Sequence, residues 1–200
     1  MNKTKLLAAG LSAVLLGTAL TGCAETEPAL TPVRLNEVVH SIFYAPQYVA
    51  LELGFFEDEG LNVELSAGQG ADKSMTALLS GGADFALLGM EAGLYVRAEG
   101  AENPAVAIAQ LTQRAGNFLV SRQEEPDFHW TDLVGKEVIG GRAGGMPQMV
   151  LEYILQQQGL NPQTDVTITT NIAFESTAGA FTGGVGDYTV EFEPTATKLV

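Results

Sequence analysis

Beyond position 23 the 200-residue chain contains no cysteine, and it has only two histidines and one tryptophan in all. A single thiol, Cys23, cannot close an internal disulfide, and it leaves no cysteine cluster for a metal site. His40 and His129 stand far apart with no partner at metal-ligand spacing, so each is expected to serve structure. Basic residues are scarce too. Ten Lys and Arg against 24 Asp and Glu give a formal net charge of −14, which excludes nucleic acid or an anionic membrane surface as the partner. Past the N-terminus no apolar run approaches the roughly twenty residues that a spanning helix needs. Disorder is excluded by a hydrophobic content of 46%.

The N-terminus is the most legible stretch. Lys3 and Lys5 precede an apolar run from Leu6 to Leu20, broken only by Gly10, Ser12, Gly17 and Thr18. The run fits a secretory h-region ahead of a small-residue cleavage site. Its ending, Leu20-Thr21-Gly22-Cys23, has the form of a bacterial lipobox, in which residues 1–22 are removed and Cys23 carries the lipid. The other possibility is an ordinary signal peptide with an incidental cysteine. Each buried CH₂ of an acyl chain contributes about 0.8 kcal/mol, so several chains hold a soluble domain firmly. Loss of Lys3 and Lys5 moves the formal charge from −14 to −16. Residues 23–32 lack periodicity and are expected to be a tether.

Thereafter strand and helix patterns alternate. Strands are expected at Val33–Val39, Leu61–Leu65, Asp84–Leu88, Val106–Leu111 and Phe118–Ser121, with Asp84–Leu88 buried on both faces. Helices are expected at Ala45–Leu53, from an N-cap at Asp72, and at Met90–Glu99. The pattern then restarts with a turn at Thr131–Val134 and strands at Glu137–Gly140, Val166–Thr170 and Tyr188–Phe192. Between them, Met146, Met149, Val150, Tyr153 and Ile154 mark an amphipathic helix ended by Gly159. A small-residue helix runs to Phe181, and Pro194 opens a further one. This alternation predicts an α/β fold with mostly parallel sheets.

The chain also echoes itself. Ala77-Leu78-Leu79-Ser80-Gly81-Gly82-Ala83-Asp84-Phe85 is matched by Ala180-Phe181-Thr182-Gly183-Gly184-Val185-Gly186-Asp187-Tyr188, with one residue inserted between the glycine pair and the aspartate. Each is a helix end, a glycine stop, then Asp and an aromatic entering a strand. The echo is either common punctuation or the mark of two lobes built alike.

Several motifs in order carry a resemblance over nearly the whole chain. They are Phe43-Tyr44-Ala45-Pro46-Gln47-Tyr48-Val49-Ala50, Gly54-Phe55-Phe56, Glu59-Gly60-Leu61-Asn62-Val63-Glu64-Leu65, Ala83-Asp84-Phe85, Gly140-Gly141-Arg142-Ala143-Gly144-Gly145-Met146-Pro147 and Glu193-Pro194. In these the chain resembles the nitrate/sulfonate/taurine and thiamine-pyrimidine (SsuA/THI5-like) substrate-binding proteins of ABC transporters. The resemblance implies a periplasmic-binding-protein-like fold of type II, with two lobes joined by a hinge. It assigns residues 33–117 to the first lobe, 118–192 to the second, and 193–200 to a second crossover. The return segment to the first lobe is expected to be missing from these 200 residues. Implied partners are a small-molecule ligand, an ABC permease and its ATPase. The protein is expected to be a monomer without cofactor or metal, anchored on the outer face of a bacterial cytoplasmic membrane.

Ligands of open α/β sheets bind beyond the carboxyl ends of the strands. That rule and the resemblance select the same loops. The expected ligand contacts are Ser41, Tyr44, Gln47, Gly70, Gly89, Met90 and Glu91 in the first lobe. In the second they are Arg142, Gly144, Gly145, Met146, Phe174 and Glu193. Glycines before Met146 let backbone N–H groups approach a negative ligand group at a helix start. Glu91 pulls the other way, as an acceptor for a ligand bearing N–H groups, and so leaves the ligand open between an aminopyrimidine-like and a sulfonate- or nitrate-like molecule. No Ser-His-Asp or paired-carboxylate pattern points to catalysis. Three functions remain: solute capture for import, ligand sensing at the membrane, and enzymatic conversion on the same fold.

Overall fold

The computed structural model describes residues 29–114 and 116–200. The expected leader at residues 1–22 and Cys23, the expected site of lipid attachment, lie outside them. Two sheets with the same strand logic, one parallel and one mixed, organise the rest.

The first sheet has the order β2-β1-β3, from β1 (Thr31–Glu37), β2 (Leu61–Ala67) and β3 (Phe85–Leu87), all parallel. Its helices are α1 (Ala45–Glu52), the one-turn α2 (Phe55–Asp58), α3 (Ala71–Leu79) and α4 (Met90–Ala98). The second sheet runs β4-β7-β5-β6, from β4 (Asn117–Ser121), β5 (Glu137–Ile139), β6 (Thr167–Thr169) and β7 (Tyr188–Phe192). There β4 pairs antiparallel with β7, and the other pairs are parallel. It carries α5 (Met146–Gln157), α6 (Thr177–Thr182) and α7 (Thr195–Leu199).

Read from its own first parallel strand, each sheet places the second strand on one side and the third on the other. The orders β2-β1-β3 and β6-β5-β7 are therefore equivalent, and the sequence echo has a structural basis. Asp84 accepts from the backbone N–H of Arg34 at 2.8 Å while its own N–H donates to the Arg34 carbonyl at 2.9 Å. Asp187 repeats the clasp on Glu137, at 2.9 and 2.7 Å. In both cases the aspartate welds the entry of the third strand to the first.

Packing follows a different stripe on α5 from the expected one. Pro147, Leu151 and Leu155 are its buried residues, and Leu151 and Leu155 pack in one cluster with Leu133, Val138, Val166, Tyr188 and Val190. Tyr153 is 60% exposed and Met149 37%. The stripe at 147, 151 and 155 keeps the helical spacing but lies one residue round from the expected set. Three further expectations fail. Residues Val106–Leu111 form no strand, because no strand among the described residues pairs with them, and Val106 and Ile108 are 80% and 74% exposed. The strand at Phe85–Leu87 is a sheet edge with Phe85 at 45% exposure, not a strand buried on both faces. Asp72 is not the cap of α3 either; Gly70 holds that position and Asp72 sits in the first turn.

Candidate functional site

A sheet order of this kind has a switch point beside its first strand, between it and the third, where neighbouring connections leave in opposite directions. Here that point lies between the carboxyl ends of β1 and β3 in one sheet, and between those of β5 and β7 in the other. The two points face one cleft of about 290 Å³. Val38 and Tyr44 follow β1, Gly89 and Met90 follow β3, Arg142 and Gly145 to Pro147 follow β5, and Phe192 ends β7.

Tyr44 directs its ring into the cleft from the turn that precedes α1. Burial, and behind it the charges of Glu37 and Glu91, push its phenol up to about 12. Its hydroxyl is thus a neutral donor at physiological pH. Gly70 is required by close approach: a methyl group there would lie 2.8 Å from Arg142 Cγ and 2.6 Å from Asp72 Oδ1. Arg142 uses that space to make a two-point contact with Asp72, Nη2 to Oδ2 at 2.5 Å and Nε to Oδ1 at 3.2 Å. The guanidinium is the first cause that holds the Asp72 carboxyl below its ordinary value. This ion pair ties the loop after β5 to α3 across the cleft. Phe174 adds a stack on Phe192 at 5.1 Å and donates its N–H to the Gln69 carbonyl at 3.4 Å.

Of the expected contacts, Tyr44, Gly70, Gly89, Met90, Arg142, Gly145, Met146 and Phe174 line the cleft. The remaining five do not. Ser41 is buried as the cap of a 3₁₀ turn, its Oγ accepting from Phe43 N–H at 3.3 Å. Gln47 turns inward to Glu37, donating to Oε2 at 3.1 Å. Gly144 directs its N–H to Gln148 Oε1 at 2.8 Å. Glu193 caps α7, accepting from Thr197 Oγ1 at 2.8 Å and N–H at 3.2 Å. Glu91 is buried at 4% exposure directly behind Gly89. Its Oε1 has no hydrogen-bond partner, and burial raises its carboxyl above the ordinary value.

Sequence reasoning missed two kinds of residue. Val38, Leu87, Leu88, Pro147 and Phe192 form apolar cleft wall, where a rule about loops does not look for strand ends. Thr112, Gln113 and Arg114 reach the cleft from the irregular segment that follows the expected strand at 106–111. Glu37 was missed as well. It is 1% exposed and accepts from Gln47 and, at 2.8 Å, from the Tyr48 hydroxyl, while His40 Nδ1 lies 3.0 Å away. A carboxylate ending a strand ahead of Val38 and Val39 is the signal that could have found it. His40 also stacks on Tyr48 at 4.3 Å, and His129 opens a 3₁₀ turn, its N–H donating to Asp132 at 2.8 Å. Among the described residues no group of three His, Cys, Asp or Glu side chains could hold a metal ion.

Residues 42–195 match the family described as NMT1/THI5 like. The chain belongs to that family. It is 48% identical over 186 residues to the "Putative binding protein YtlA" of Bacillus subtilis (strain 168). That alignment covers 93% of this chain and 55% of the relative, so the chain spans about half the length of the curated relative it matches. A protein from Bordetella bronchiseptica RB50 superposes with a TM-score of 0.67 at 26% identity, over 84% of this chain and 53% of its own. The alkanesulfonate-binding protein SsuA of Xanthomonas axonopodis pv. citri, bound to MOPS, gives 0.57 at 20% identity, over 84% and 56%. These neighbours establish the expected α/β, periplasmic-binding-protein-like fold with mixed, mostly parallel sheets.

Proposed function

We propose that this chain is the extracytoplasmic solute-binding component of an ABC importer, holding a small polar molecule between its two sheets without converting it. The observation that carries this is the single cleft formed where the switch points of two like-built sheets face each other. An apolar wall with a few polar groups (the Tyr44 hydroxyl, backbone N–H groups, Arg142) suits capture and release of a solute. The NMT1/THI5-like family and a relative named as a binding protein support the same reading. Related folds hold MOPS and, in the protein PhnD1 of Prochlorococcus marinus (MIT 9301), methylphosphonate. Delivery to a permease and its ATPase follows from the family resemblance.

A thermal-shift screen of the intact protein against taurine, alkanesulfonates, nitrate, thiamine, aminopyrimidines and riboflavin tests this. A ligand at a hundredfold its Kd stabilises the folded state by about 2.7 kcal/mol, so at least one class should raise the midpoint with no product formed. Turnover of the stabilising ligand, or no response across the panel, would overturn the reading. The lipobox adds an anchor at Cys23, so wild-type protein should fractionate with membranes and Cys23→Ala with the soluble phase. Identical fractionation of the two would remove the anchor.

A further inference from the structure

Glu37 ends β1 at 1% exposure, one residue short of the cleft wall at Val38. Taking a carboxylate out of water is costly, and an apolar side chain of similar volume often packs in its place at no loss. What the carboxylate does is therefore read from its donors. Oε2 accepts from Gln47 Nε2 at 3.1 Å and from the Tyr48 hydroxyl at 2.8 Å. Tyr48 passes the contact on, because its oxygen accepts from the backbone N–H of Ser41 at 3.0 Å. Ser41 in turn builds the 3₁₀ turn Ile42–Tyr44. Its Oγ accepts from Phe43 N–H at 3.3 Å, and its carbonyl from Tyr44 N–H at 2.9 Å. A relay of hydrogen bonds thus runs from the carboxylate through Tyr48 and Ser41 to the backbone of Tyr44. Gln47 fixes the other side of Tyr44, in the first turn of α1.

That turn is also what meets the opposite sheet. Tyr44 lines the cleft. Phe43 sets its ring edge-on to Phe192 at 6.0 Å and fills the space beside Gly116, where a methyl group would overlap it. The backbone of Glu37 grips the neighbouring connection as well: its carbonyl accepts from Gly68 N–H at 2.8 Å and from Ser74 Oγ of α3 at 3.2 Å. One residue therefore joins the connections that leave β1 and β2, directly behind the cleft. A satisfied buried network of this kind rigidifies what it holds, and a contact held in place beforehand spares the ordering cost of binding.

We propose that Glu37 is a positioning residue, which through Tyr48 and Ser41 on one side and Gln47 on the other holds the turn at 41–48 and so presents Tyr44 to the solute. This rests on the solute-binding reading and names what keeps its polar contact in place.

Carbon-13 NMR of the intact protein with ring-labelled tyrosine tests it, in wild type and in Glu37→Gln, Glu37→Leu and Tyr48→Phe. Tyr44→Phe assigns the Tyr44 signal among the five tyrosines, and circular dichroism verifies folding. Both turn contacts fall on Oε2. An amide oxygen there keeps them, while its NH₂ faces His40 Nδ1, which lies 3.0 Å from Oε1 and accepts in one tautomer. Glu37→Gln should therefore keep the Tyr44 signal at its wild-type position. Glu37→Leu and Tyr48→Phe should move it toward free tyrosine and leave Tyr153 and Tyr188, on the second sheet, in place. With whichever member of the solute panel raises the wild-type midpoint, these two variants should bind about fivefold more weakly, the loss of one hydrogen bond. A Tyr44 signal unmoved in both, or moved as far by Gln as by Leu, overturns the role of Glu37. Undiminished solute binding by both, or a shift of Tyr188 along with Tyr44, overturns it too. Should Glu37→Leu fail to fold, Tyr48→Phe decides alone, because it keeps the carboxylate. A wild type that responds to no solute overturns the solute-binding reading, and the Tyr44 signal still decides whether Glu37 holds the turn.

Discussion

Among the described residues three carboxylates are nearly or fully buried, and their surroundings differ in kind. Glu37, at 1% exposure, is satisfied by donors on three side chains, whereas Glu91 keeps an unpartnered oxygen behind the cleft. Glu191, at 2% exposure, lies in β7 away from the cleft wall, with Thr189 Oγ1 donating at 2.8 Å. Burial raises the Glu191 carboxyl above its ordinary value, against the opposing hydroxyls of Thr177 and Thr189. The charged form therefore weakens the fold at neutral pH. As pH falls through the raised folded-state pKa toward the unfolded one, the folded state takes up its proton first and wild type gains stability. Glu191→Gln should be more stable than wild type at pH 7, and the advantage should shrink toward pH 4.5. Urea denaturation across that range checks it; a variant less stable than wild type at pH 7 would show that the hydroxyls outweigh desolvation.

Elements were legible where a local pattern decides them. Tyr188–Phe192 was read to the residue, since only seven residues separate the glycine stop at Gly186 from Pro194. Met146–Gln157 was found as a helix but with its stripe displaced. Composition alone did not separate Met149 and Tyr153, which face solvent, from Leu151 and Leu155, which meet the second sheet. The segment at 106–111 failed for another reason. Its β-branched residues favour a strand, but a strand needs a partner edge, and pairing is a property of the sheet. Site legibility divided the same way. Backbone positions at helix starts, such as Gly89 and Gly145, could be located from glycine and strand ends. Whether Gln47 faced the cleft or Glu37 depended on a buried partner ten residues away.

At the scale of the whole molecule, two sheets of matching order meet around the cleft, and few polar contacts join them. Arg142 with Asp72 is the one ion pair between them among the described residues. Its partners are 18% and 34% exposed at the side chain, so it is only partly screened. A pair worth about 1 kcal/mol shifts an open–closed balance about fivefold. Asp72→Asn should therefore enlarge the radius of gyration of the unliganded protein and weaken ligand binding by about that factor. The pH response has a definite sign. Because Arg142 holds the Asp72 carboxyl below its ordinary value, the contact's contribution is complete above the ordinary carboxylate range and is lost as pH falls through the lowered value. Wild type should expand on acidification below about pH 4, and Asp72→Asn should start expanded and respond less. Small-angle scattering of both proteins between pH 7 and pH 3 separates this from general acid unfolding when circular dichroism is followed in parallel. Equal radii for the two at pH 7 would mean that contacts such as that of Phe43 with Phe192 hold the halves together without the ion pair.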